Sequence, residues 1–107
     1  MIINWNLIKE ILHDLFNRHI GVETAFQKIK SSCFRKLPES QLGAVDLIVF
    51  RYVGMEEIGH TDVLLIEVKS STGKLDEAQG RWAELAVAQG CRHIVARSLE
   101  DAQEALR

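Results

Sequence analysis

Asp62-Val63-Leu64-Leu65-Ile66-Glu67-Val68-Lys69-Ser70 is the stretch whose reading decides the fold. It is dominated by β-branched and aliphatic residues, as strands are, and nearly all apolar, as strands covered on both faces are. A second run of the same kind, Ala44-Val45-Asp46-Leu47-Ile48-Val49-Phe50-Arg51-Tyr52, opens after Gly43, and a polar loop over 54–61 joins the two. They read as neighbouring strands of a hairpin, with Ser71-Thr72-Gly73 breaking the second.

Outward from this pair, apolar residues switch to helical spacing. Trp5, Ile8, Ile11, Leu12, Leu15 and Phe16 recur at i, i+3 and i+4, with Asn4 placed as an N-cap and Gly21 as the stop. Between 22 and 37 two patterns compete. Val22, Phe26, Ile29 and Cys33 fall on one helical face, whereas Ala25 to Lys30 alternates as a strand does; the helix is preferred. Pro38 and Glu39-Ser40 mark a loop. Leu75 to Ala88 reads as a helix with Leu75, Ala78, Trp82, Leu85 and Ala86 on one face, which puts Trp82 in the core, and Gly90 ends it. Arg92 to Arg97 gives a short strand, and Ser98 caps a last helix, Leu99 to Leu106, through an S-x-x-D pattern. The resulting order is α, an ambiguous element, β, β, α, β, α: one α/β domain over 1–107 with a central mixed sheet flanked by helices.

Composition narrows the function classes. A chain of 107 residues, 47% apolar and 26% charged, builds one core. No apolar run approaches a membrane span, and Met1 to Trp5 lacks a basic lead into an apolar stretch, so a cytoplasmic protein is expected. Cys33 and Cys91 form no CxxC and make no disulfide framework, and His13, His19, His60 and His93 form no HxH or HxxH, so a zinc hydrolase has no support in the pattern. The net charge of −2 is unlike that of a strongly basic nucleic-acid binder, yet the charges are segregated. Arg18, Lys28, Lys30, Arg35 and Lys36 stand against Glu23 alone, a segment suited to tracking a phosphate backbone, with Lys74 as a further candidate.

The chemistry lies in charges placed where apolar residues belong. Glu67 and Lys69 are two apart, so period two puts both on one face of their strand. Asp46 sits among Val45, Leu47 and Ile48 one strand earlier, and neighbouring strands bring it towards Glu67. Burying such groups is costly unless they are paired or hold a metal. Two carboxylates brought together suit a hard cation, Mg²⁺ or Mn²⁺, and Lys69 is placed to orient a water or steady charge on a phosphate. The competing reading is an ion-pair network that only stabilises the fold.

At these residues the sequence resembles a known family. Gly43-Ala44-Val45-Asp46-Leu47, Ile66-Glu67-Val68-Lys69, Gly73-Lys74-Leu75 and Gln79, in that order, are similar to the virus-type replication-repair nuclease (VRR-Nuc) domain of the PD-(D/E)XK superfamily, from Gly43 to the C-terminus. The resemblance implies a restriction-endonuclease-like core and metal-dependent hydrolysis of DNA phosphodiesters. It implies Asp46, Glu67 and the Val68 carbonyl as ligands of Mg²⁺ or Mn²⁺, Lys69 as the catalytic lysine and Gln79 as a supporting polar residue. It also implies a homodimer acting on branched DNA of the Holliday-junction or flap type, in a bacterial or phage-encoded setting. Val45 stands where the family often has proline. The family's N-terminal-helix glutamate is expected near Asn4, which is not acidic; Glu10 or Glu23 stands in, Glu10 ranked first. A domain that kept the fold and DNA binding but lost catalysis is the second functional reading.

Overall fold

The computed structural model describes residues 4–24, 26–30, 33–36, 45–54 and 58–107, with side chains for all of these except 26–30 and 33–36. Helix α1 spans Trp5–Asn17, and strands β1 (Gly21–Thr24), β2 (Phe26–Lys30) and β3 (Cys33–Lys36) follow. Then come β4 (Leu47–Val53), β5 (His60–Val68), α2 (Glu77–Ala88), β6 (Arg92–Ala96) and α3 (Leu99–Ala105).

The main sheet runs β1-β4-β5-β6. Its first two pairings are antiparallel and the β5–β6 pairing is parallel, which makes it the mixed sheet expected of an α/β domain. Strand β5 is central, and its last five residues are all buried, as its apolar sequence requires. Side chains alternate along the strands, so two layers form. Leu47, Val49, Leu64, Ile66, Val68 and Ala96 face α1 and α3, meeting Leu7, Ile8, Ile11 and Leu15 from one helix and Ala102 and Leu106 from the other. The opposite face is thinner: Val45, Leu65 and Ala86 form its buried cluster, with Ile48, Val63 and Cys91 alongside. Burying each of the larger side chains is worth about 1.5–3 kcal/mol, so the α1–α3 side carries most of the apolar stabilisation.

The helical reading of 22–37 is overturned: this stretch holds β1, β2 and β3. Helical spacing at four positions was outweighed by pairing. Val22 lies opposite Val49 and Thr24 opposite Leu47, where β-branched side chains fit a pleated surface. Strands β2 and β3 make a separate hairpin, with a bulge between Lys28 and Lys30. Gly21 is likewise not the stop of α1. The helix closes through His19, whose φ of 55° is left-handed, and Ile20 N–H donates to the Leu15 carbonyl at 3.0 Å. Gly21 instead lies across from Phe50, and a Cβ there would meet the Phe50 ring. Ala44, Pro38 and Glu39-Ser40 lie outside the described residues.

Helix α2 begins after Leu75, at the cap residue Asp76, and Gly90 with φ of 91° follows its end as expected. Its buried residues are Gln79 and Ala86, while Trp82 is 38% and Leu85 59% exposed. The expectation that Trp82 belongs to the core therefore fails. The layer above this face is one helix wide, and the phase of α2 is set by Gln79, as described below.

The sheet's two ends differ in charge. At the β4-start, β5-end edge lie Asp46, Glu67 and Lys69. At the other, Arg92 bonds the Asp62 carboxylate and the Ala105 carbonyl, while Arg18 and Arg51 both donate to the Leu106 carbonyl. The hydrogen bond from Arg92 holds the Asp62 carboxyl below its ordinary range, and these arginines cap the negative end of α3. No helix among the described residues is long and apolar enough to cross a membrane.

Candidate metal centre and catalytic residues

Leu47 pairs with Ile66 in the last rung of the β4–β5 ladder, and Asp46 lies in the bend just before it, beside the end of β5 that carries Glu67. Two hydrogen bonds tie Asp46 to β5: Asp46 N–H donates to the Ile66 carbonyl at 3.1 Å, and Val68 N–H donates to Asp46 Oδ2 at 2.8 Å. Asp46 is 7% and Glu67 1% exposed, so both acids are inside the protein. A backbone bend at Asp46 precedes β4.

Gln79 supplies the partner that a buried carboxylate requires. Its Nε2 donates to Glu67 Oε2 at 3.2 Å. The orientation of this amide is fixed from its other end by a capping box. Asp76 N–H donates to Gln79 Oε1 at 3.1 Å, and Gln79 N–H donates to Asp76 Oδ1 at 2.7 Å. With its oxygen committed to Asp76, the amide nitrogen must face Glu67. The cap at the start of α2 thus sets both the phase of the helix and the donor on the glutamate.

Lys69 falls one residue past β5, half-buried, rather than inside the strand. Its backbone still follows the ladder, with Lys69 N–H donating to the Ala96 carbonyl at 3.0 Å. Alternation therefore keeps it on the Glu67 side as the chain turns into the loop towards α2. Lys74 is exposed in that loop. The backbones of Lys28, Lys30, Arg35 and Lys36 lie in the β2–β3 hairpin, and their side chains fall outside the described residues.

The two candidates for the additional glutamate separate cleanly. Glu23 is exposed on β1 opposite Ile48, on the sheet face that Leu65 and Glu67 share. Glu10 lies on α1, which packs against the other face. It lines a cleft of about 330 Å³ with Asn6, Arg97, Ser98 and Glu100. Neither Asp46 nor Glu67 borders that cleft. Among the described residues no group of three or more His, Cys, Asp or Glu side chains is gathered to hold a metal ion. The expected ligands, Asp46, Glu67 and the Val68 carbonyl, offer oxygen donors alone. That all-oxygen set fits Mg²⁺ or Mn²⁺, which commonly take one or two carboxylates and complete their shell with water.

The sequence pattern points to Asp46, Glu67, Lys69 and Gln79 as candidates; Asp76, which orients the Gln79 amide, is added by the structure. The signal was present: Asp76-Glu77-Ala78-Gln79 has the spacing of a capping box, with an N-cap residue followed three positions later by Gln.

A comparison with family models matches residues 1–100 to the VRR-NUC domain. The match extends through α1 and the β1–β3 segment, beyond the Gly43-to-C-terminus stretch on which the resemblance was read. Neither a curated protein nor a solved structure matches the chain.

Proposed function

The chain belongs to the VRR-NUC domain family and so carries a nuclease-type function; from that premise we propose that it is a Mg²⁺- or Mn²⁺-dependent endonuclease acting on branched DNA. The observation that carries this reading is two buried acids at one end of the sheet, Asp46 bonded to Val68 N–H and Glu67 braced by Gln79, with Lys69 following. Asp46, Glu67 and the Val68 carbonyl would hold the ion. When bound, it polarises a phosphoryl oxygen and acidifies a water.

The chain's own residues account for the rest of the reaction. Lys69 steadies charge on the phosphate and orients the attacking water, whose oxygen bonds to phosphorus as the bond to the leaving sugar oxygen breaks. Gln79 keeps Glu67 in one position through the cycle. Lys28, Lys30, Arg35 and Lys36 lie together on the hairpin, and with Lys74 they supply phosphate contacts. Glu10 or Glu23 provides the remaining carboxylate, and Glu23 has the sheet face in its favour.

A homodimer gives the two-fold symmetry that a four-way junction presents. A second reading, a DNA-binding domain without catalysis, draws on Asn4 at the position expected for the family glutamate. Cleavage assays with Mg²⁺, Mn²⁺ or EDTA separate the two. Catalysis predicts metal-dependent cuts that disappear in Asp46→Asn, whereas the binding domain predicts shifted bands and intact DNA under every condition.

A further inference from the structure

Lys69 opens a turn that must be held still if its ammonium is to act at one point, and that turn is braced from outside. Ser70 to Gly73 has internal support only from Gly73 N–H, which donates to Ser70 Oγ at 3.1 Å and to the Ser70 carbonyl at 3.3 Å. The long-range support comes from β6 and the residue after it. Ala96 accepts from Lys69 N–H, and Arg97 Nη1 donates to the Ser70 carbonyl and to the Gly73 carbonyl, each at 2.6 Å. One guanidinium nitrogen thus ties both ends of the turn.

Arg97 is itself anchored. Its backbone N–H donates to Asp101 Oδ2 at 2.8 Å, and Asp101 N–H donates to Ser98 Oγ at 3.3 Å. This differs from the usual capping box, in which the third helical residue returns to the N-cap amide. Here it returns one residue earlier, to Arg97. The cap of α3 therefore fixes the backbone from which Arg97 reaches the Lys69 turn. Arg97 is exposed, so its two bonds do not serve to satisfy groups deep in the core.

We propose that Arg97 is a positioning residue for the nuclease reaction, acting on Lys69 through the 70–73 turn. The inference rests on the role given to Lys69 above. Misplacing a catalytic group by about 1 Å can cost roughly a hundredfold in rate.

The test compares full-length Arg97→Met and Arg97→Lys with the wild type and Lys69→Ala, measuring kcat, KM and the thermal midpoint on a branched DNA with Mg²⁺. Arg97→Met is expected to lower kcat about ten- to a hundredfold, with KM and thermal midpoint nearly unchanged. Arg97→Lys is expected to recover part of that loss, because a single nitrogen makes both bonds and an ammonium can replace it. Added guanidinium is expected to rescue Arg97→Met but not Lys69→Ala. An unchanged kcat in Arg97→Met overturns the proposal. So does a raised KM with a shallower salt dependence, which marks a phosphate contact, or a kcat loss that only follows a lowered thermal midpoint. If the wild type does not cleave, the reading of Lys69 has failed and the proposal falls with it. If Lys69→Ala is inactive while Arg97→Met keeps its kcat, the proposal alone fails.

Discussion

Gln79 donates to Glu67 from one end of its amide and accepts from Asp76 N–H at the other, so the group cannot turn without losing both bonds. Gln79→Leu removes a donor from a buried carboxylate and is expected to cost about 1–3 kcal/mol of stability, read as a lowered urea midpoint. Gln79→Glu keeps an acceptor for Asp76 but sets a second carboxylate against Glu67. Its midpoint is expected to fall in EDTA and to recover with Mg²⁺, which relieves the repulsion; an equal midpoint in both buffers contradicts an ion at this position. The candidate residues were legible in the sequence at this scale because charges stood out in apolar strands. The surroundings were not, since Asp76 and Arg97 look like ordinary surface residues until the fold brings Gln79 to Glu67 and Arg97 to the turn.

Elements were legible where one pattern dominated and ambiguous where two competed. Strand β5, apolar from Val63 to Ile66 and inside the sheet, was legible; Val22 to Cys33 carried helical spacing, and the pairing of β1 with β4 is a long-range fact that local spacing cannot encode. Strand β6 contributes a pH dependence. His93 is half-buried, with Nε2 buried and without a hydrogen-bond partner among the described residues, and burial lowers its pKa from the ordinary 6.5. The folded state thus favours the neutral ring. This contribution is fully present above about pH 6.5 and is lost as pH falls through the lowered folded value, because the unfolded chain takes up the proton first. Urea midpoints at pH 7.5 and 5.5 are expected to differ more in the wild type than in His93→Leu. Equal differences would remove His93 as the cause.

Across the whole molecule, the net charge of −2 conceals a division of labour. Two acids are buried at the site end of the sheet, arginines close the other end on α3, and the basic residues of 28–36 are set on a separate hairpin. A divalent ion held by Asp46 and Glu67 would offset their charge locally, which makes modest acidity compatible with a DNA partner. The thin side of the sheet leaves Trp82 and Leu85, one turn apart on α2, exposed as apolar surface. Sedimentation at micromolar protein is expected to give twice the 12.1 kDa of the chain, and the monomer mass would rule the dimer out.

Cleavage of a panel of linear, flapped and four-way-junction DNAs, with Mg²⁺, Mn²⁺ or EDTA and with Lys69→Ala alongside, tests the central claim most directly. The carboxylate pair and its lysine predict cuts in the branched substrates with either metal, none in EDTA, and loss of cleavage in Lys69→Ala with thermal stability retained. Cleavage that persists in EDTA or in Lys69→Ala, or intact DNA in every lane from a folded protein, would contradict it.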